Sequence, residues 1–273
     1  MIKLNTDYKH SDHFFALIEK HVAISKRRVF HFYFEGNGYV VKMQQKRRSK
    51  IGYFILTIIA KVLFIPALKG IPIHGGKLTQ AIEIKRLRSL SVAGVLVPEV
   101  IYEGKNYFVM SSLGNTDFDF LLKNPDQKPL VFYWKQVLAA ILNVHHKDKY
   151  LSQAFVRNMI NVEEATVGFV DFEDDPGLVL SLNLAQVRDW LLCLFSCSFQ
   201  LDISSRAQAE IVLHYLLQDK IEVQKKVLAY ASKIALLRFV FRSTKRYHNR
   251  DLQSLNAFIQ LMHELTIVFS HMF

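Results

Sequence analysis

Four polar residues between positions 42 and 171 have types and an order that suit phosphoryl chemistry. Lys42 ends a run of strand character, Glu83 lies in a helical pattern, Asn158 falls in a polar loop, and Asp171 follows an apolar strand. Moving a phosphoryl group needs a cation to grip nucleotide phosphates, an anion to hold that cation, and oxygen ligands for magnesium. Magnesium takes few ligands from protein and the rest from phosphate and water, so one amide oxygen and one carboxylate suffice. Each residue also has an ordinary alternative. Lys42 can be one more member of a basic run, Glu83 can pair with Lys85 or Arg86 on a solvated helix, and Asn158 can cap a loop. Asp171 is harder to dismiss, because a charge between Phe169 and Phe172 is out of place unless it faces a site.

Positioning these groups requires particular elements. Residues 1–28 read as a helix with Phe14, Phe15, Leu17 and Ile18 on one side. Arg28–Lys42 reads as a hairpin: Val29-Phe-His-Phe-Tyr-Phe, the turn signal Glu35-Gly-Asn-Gly, then Tyr39-Val-Val-Lys. Leu78, Ile82, Leu87 and Leu90 predict a helix over Leu78–Leu90. Two further strands follow, Val95–Tyr102 and Asn106–Met110, joined by Glu103-Gly-Lys. The turn-rich Ser111-Ser-Leu-Gly-Asn-Thr suits a link between lobes. Beyond Asp117 the pattern is mainly helical, except that two short strands are expected between Asn158 and Asp171. Strands first and helices later predict an α+β fold in two lobes.

On these residues the chain resembles the protein-kinase-like superfamily, in particular the atypical bacterial branch of lipopolysaccharide-core kinases, RIO-type kinases and aminoglycoside phosphotransferases. The resemblance covers roughly residues 30–200. Its firmest part is Val144-His-His-Lys-Asp-Lys-Tyr-Leu-Ser-Gln-Ala-Phe-Val-Arg-Asn-Met followed by Val167-Gly-Phe-Val-Asp-Phe-Glu-Asp. These are similar to the family's catalytic loop and its hydrophobic-hydrophobic-Asp-Phe-Gly segment. The resemblance implies a small, mainly β lobe over residues 1–112, with an inserted apolar helix, and a larger, mainly α lobe over residues 113–273. It implies ATP and magnesium as cofactors, with Lys42 and Glu83 at the phosphates and Asn158 and Asp171 on the metal. Phe108-Val-Met-Ser-Ser-Leu-Gly looks like the hinge, which places Met110 and Ser112 at adenine. Asp189 looks like the helix aspartate that braces the catalytic loop, and His145 matches a structural histidine. One departure matters most. The family's catalytic aspartate falls on Gln153, which accepts no proton, and the usual glycine after Asp-Phe is Glu173. Phosphoryl transfer depends mainly on positioning and charge neutralisation, so loss of the base slows the reaction without abolishing it in principle. Glu35-Gly-Asn-Gly-Tyr is only a weak stand-in for a glycine-rich phosphate loop.

Composition sets the surroundings. The 273 residues are 51% hydrophobic and 22% charged, which suits a packed domain and excludes disorder. Cys193 and Cys197, four apart in an apolar run, are expected as core filler in a reducing cytoplasm, and a disulfide framework is excluded. The amino terminus lacks the pattern of a secretory signal. The net charge of +11 is uneven: no acid lies between Glu35 and Glu83, a stretch holding eight lysines and arginines. Such a field implies an anionic partner: nucleotide, phospholipid or nucleic acid. The aromatic residues do not interleave with the basic segment, which argues against nucleic acid. Residues 51–68 form the most apolar stretch. Lys61 and Pro66 interrupt it short of the roughly 20 residues a membrane span needs, so it reads as an interfacial helix or a buried one.

Three readings compete: a kinase acting on a membrane-proximal sugar, a glycolipid such as lipopolysaccharide core, a small molecule or a protein hydroxyl; a pseudokinase disabled at Gln153; and a peripheral membrane scaffold without a nucleotide site. The first two place the protein in the cytoplasm, at an anionic membrane surface.

Overall fold

The computed structural model describes residues 12–44, 60–71, 74–124, 129–163, 166–241 and 250–272. Helix α1 (Asp12–Ile24) precedes a hairpin of β1 (Val29–Phe34) and β2 (Asn37–Met43). Helix α2 (Gly76–Val92) follows, then β3 (Val100–Glu103) and β4 (Tyr107–Ser111). The four strands make one antiparallel sheet in the order β1-β2-β4-β3. Strand alternation sends Phe32, Phe34, Tyr39, Val41, Tyr107 and Val109 to one face, where Phe14 and Ile18 of α1 cover them. Lys42, Val40, Phe108 and Met110 point the other way, towards α2 and the main core.

The rest is mostly helical, as expected: α3 (Phe118–Lys123), α4 (Leu130–His146), α5 (Leu182–Cys197), α6 (Ser205–Leu216), α7 (Ile221–Ala235), α8 (Arg238–Phe241) and α9 (Arg250–Ser270). A two-stranded sheet, β5 (Met159–Glu163) with β6 (Thr166–Phe169), lies between α4 and α5. The mixed α+β class, with a small sheet first and a larger helical part second, is the one the sequence predicts. Trp134, Leu138 and Ile141 of α4 and Trp190, Leu191 and Leu194 of α5 anchor the main core. Both cysteines are free and buried there, as their spacing predicts.

Two expectations need correction. The Val95–Tyr102 strand is shorter, because Val95–Glu99 carries no ladder and pairing begins at Val100; Pro98 has no N–H to offer a ladder. Nor does the apolar run continue as one helix through position 68. Within its described part, Phe64 has φ +52°, and Pro66–Leu68 is a single 3-10 turn. Ile65 and Ala67 are buried in the main core, and Arg188 of α5 donates to the carbonyls of Ala67 (2.9 Å) and Lys69 (3.0 Å). Residues 45–59, which hold the rest of that run and the basic cluster before it, lie outside the described residues. Among the described residues no helix is long and apolar enough to cross a membrane.

Helix α2 buries an unusual face: Thr79, Glu83, Ile84, Arg86, Leu87 and Leu90 turn inward, while Leu78 is exposed. Its apolar contribution is narrow, so each core leucine matters. Leu87→Ala should cost roughly 2–5 kcal/mol, from lost transfer energy plus the cavity left behind. Urea unfolding measures it, and a cost below about 1 kcal/mol would mean that α2 is not packed as described.

Candidate functional site

Strand β2, helix α2 and the turn after β6 bring three of the four sequence-predicted groups into direct contact. The Lys42 ammonium lies 2.7 Å from Glu83 Oε1 and 2.9 Å from Asp171 Oδ1. It also lies 3.0 Å from Glu173 Oε1, which Arg28 pairs as well. Lys42, Glu83 and Glu173 are all buried, whereas the Asp171 side chain is about one-third exposed. Burial works against the Lys42 charge, yet Glu83, Asp171 and Glu173 together hold its pKa above the usual lysine range. Burial pushes Glu83 up while Lys42 pulls it down. The pairing of Lys42 with Glu83 follows from the strand register. Lys42 stands opposite Phe108 in the middle of the sheet, on the face towards α2.

Asp171 has φ +67°, a left-handed conformation that costs a non-glycine residue about 1–2 kcal/mol. The backbone next to it is tied down: the Phe172 N–H donates to Glu83 Oε1 at 3.3 Å, and the Val170 N–H to the Asn158 carbonyl at 2.9 Å. Asn158 itself is buried, and its Nδ2 donates to the Gln153 carbonyl at 3.1 Å. That bond orients the amide and leaves its oxygen as the available hard ligand. Lys42, Asn158 and Asp171 all border one cleft of about 300 Å³, which Arg28, Met110, Ser112 and Gly114 also line. Met110 is at the end of β4. The Ser112 N–H is committed to the Gly38 carbonyl at 2.9 Å, so an adenine contact here would use another group.

The loop carrying Gln153 is held from below. Asp189 of α5 is fully buried and accepts the Leu151 N–H at 2.6 Å. It also lies 3.4 Å from His145, whose other ring nitrogen lies 2.6 Å from Asp219, and Asp219 accepts the Trp190 N–H at 2.7 Å. His145 is therefore packed and structural, as its sequence match implies. Burial lowers its pKa, but the two carboxylates outweigh that and hold it above the ordinary value. Arg86, a sequence-level alternative partner for Glu83, instead donates to the Tyr150 carbonyl at 2.5 Å and stacks on the Tyr150 ring.

Sequence reasoning missed the roles of Arg28, Glu173, Asp174 and Asp219. The run Asp171-Phe-Glu-Asp-Asp was a visible signal for two of them; Asp219, in a helix-to-helix turn, gave none. Among the described residues no group of three or more His, Cys, Asp or Glu is arranged to hold a metal ion. A two-ligand magnesium site completed by phosphates and water is compatible with that.

No family model and no curated protein matches the chain. Two solved structures are similar in outline. One is aminoglycoside phosphotransferase APH(2'')-Ib with ADP bound, at a TM-score of 0.36 and 14% identity, covering 92% of this chain and 98% of that one. The other is the streptomycin-ATP-APH(2")-IIa ternary complex, at a TM-score of 0.33 and 14% identity, covering 97% of this chain and 99% of that one. Likeness at this level carries no inference about activity or substrate, and the function proposed below rests on the chain's own geometry.

Asp174 gives the site a measurable pH signature. It is buried, and its carboxylate accepts a hydrogen bond from the Gln153 side chain. Burial pushes its pKa up to about 7, against the pull of Arg188. A carboxyl whose folded pKa is raised contributes stability that is full below its unfolded pKa, near 4, and is lost as pH rises through about 7. Asp174→Asn should therefore flatten the fall in melting temperature between pH 4 and pH 8. Parallel pH dependences in wild type and variant would show that Asp174 titrates normally.

Proposed function

We propose that this protein is an ATP-dependent phosphotransferase of protein-kinase-like design, with a small lobe over residues 1–112, a helical lobe over 113–273, and nucleotide in the cleft that both line. The observation that carries the reading is the Lys42 ammonium held between Glu83 and Asp171, at 2.7 and 2.9 Å, by three separate elements. A buried lysine bound so tightly is positioned for a fixed task, and gripping phosphate oxygens is the task its cleft offers. Asp171, partly exposed and conformationally strained, and Asn158, with its oxygen free of the Gln153 contact, are the residues that would hold magnesium. Bound there, the ion would neutralise charge on the transferring phosphate. Lys42 binds and orients the phosphates, Glu83 fixes Lys42, and Met110 and Ser112 border the adenine end. Gln153 orients an acceptor hydroxyl by hydrogen bonding but cannot take its proton.

The acceptor class we favour is a membrane-proximal sugar or glycolipid hydroxyl, at the cytoplasmic face of an anionic membrane. The exposed Val62 and Phe64, next to exposed Lys61, support that location. A second reading, a pseudokinase that binds nucleotide without turnover, is favoured by the amide at Gln153. Phosphate transfer from ATP to a glycolipid extract separates the two.

In the proposed site Asp171→Ala should abolish magnesium-dependent ATP binding in calorimetry while leaving the fold intact. Unchanged affinity in that variant would falsify the metal assignment and, with it, the kinase-like reading of the cleft.

Membrane docking has its own test. Each basic group near an anionic leaflet contributes about 1 kcal/mol, and screening weakens this as salt rises. Flotation should show binding to anionic but not neutral vesicles, reduced by salt and by charge removal at Lys46, Arg47, Arg48 and Lys50. Equal recovery with both vesicle types, or with neither, rules the membrane out and leaves the basic segment to another acidic partner.

A further inference from the structure

A phosphate-binding fold of this design needs donors over the phosphates, and the β1–β2 turn does not supply them. The ladder runs to the Phe34–Asn37 pair, so the turn is only Glu35-Gly36, both residues at positive φ. Beyond it Gly38 is paired with Tyr33, and its carbonyl is taken by Ser112. A two-residue turn has no free run of amides to wrap an anion, and the Glu35 carboxylate at its tip repels one.

The opposite end of the same hairpin carries a cation instead. Val29 is paired with Lys42, and the Arg28 carbonyl accepts the Met43 N–H at 2.8 Å, so Arg28 stands beside Lys42 by register. The Arg28 guanidinium and the Lys42 ammonium converge on a single atom, Glu173 Oε1. The Glu173 side chain is 1% exposed and the Arg28 side chain 32%. The carboxylate is thus fixed in the interior, while the guanidinium reaches from it to the cleft shared with Lys42, Asn158 and Asp171. A guanidinium has five N–H donors in a rigid fork, and one carboxylate oxygen occupies only part of it.

We propose that Arg28 is a second phosphate-binding residue of the nucleotide site, aimed by the buried Glu173 and taking, with Lys42, the place of a glycine-rich loop. This rests on the nucleotide reading above. It also gives Glu173 a reason to stand where the resembling family has glycine: a carboxylate there holds the added cation. The phosphates would meet the outer edge of the Arg28 fork while its inner edge stays on Glu173.

Calorimetry with ATP, ADP and adenosine, each with magnesium, tests the proposal on wild type, Arg28→Ala and Arg28→Lys. A charge-assisted hydrogen bond is worth about tenfold or more in affinity. Arg28→Ala should therefore weaken ATP by about tenfold, ADP by less, and adenosine not at all, and Arg28→Lys should recover part of the loss. Should the alanine variant not fold, Arg28→Gln carries the same comparison. Unchanged ATP affinity overturns the proposal, and so does an equal loss for ATP and adenosine, because that is the mark of a loosened cleft. Either result, with wild type still binding ATP, leaves the nucleotide reading standing. Wild type without affinity for any of the three ligands removes that reading and the role of Arg28 together.

Discussion

The structure turns on one buried ammonium. Lys42 sits in the middle of a sheet, where an unpaired charge would be prohibitively costly to desolvate. It is tolerated because carboxylates from separate parts of the chain meet it: Glu83 from a helix, Asp171 and Glu173 from the turn after a distant hairpin. Sheet, helix and turn must therefore close on one another for any of them to be stable. Removing one partner of such a buried group leaves the others uncompensated, which costs far more than the pair contributes on balance. The site and the junction of the sheet with the helical part are thus the same set of contacts.

A second buried network does for the Gln153 loop what Lys42 does for the sheet. His145, Asp189, Asp219 and Trp190 come from α4, α5 and the turn before α7, and through Asp189 they hold the Leu151 N–H. The loop is built to present a side chain at a fixed place, yet that side chain is an amide. Positioning has been kept where proton acceptance has not. This combination fits a slow transferase or a nucleotide-binding protein without turnover, and it fits a scaffold with no cleft poorly, because a scaffold has no use for a braced loop facing a strained carboxylate.

The acidic run after β6 shows how neighbouring residues of one chemical type divide among different tasks. Asp171 is partly exposed, in a left-handed conformation and on Lys42. Glu173 is buried and shared between two cations. Asp174 is buried near Arg188 and carries a raised pKa. Asp175 accepts the Gly177 N–H and the Tyr150 hydroxyl, closing the turn. Four carboxyl groups in five positions coexist because each has its own cation or donor.

By itself the sequence determined the order of the parts. Strand alternation placed β1 and β2, turn residues placed the hairpin between them, and the spacing of Asn158 to Asp171 required two short strands. Those are local patterns, legible because backbone geometry sets their period. It also picked out Lys42, Glu83, Asn158 and Asp171, whose residue types were informative even without contacts. Partners were a different matter. Arg28 looked like the end of a basic run, Glu173 like a lost glycine, Asp219 like a turn residue, and Leu78 like core; residues 60–68 looked like the end of a helix. Only the tertiary structure decided these, because burial and charge pairing depend on which elements meet in space. Arg28 and Glu173 are 145 positions apart in sequence, and no local pattern reports that they share one oxygen with Lys42.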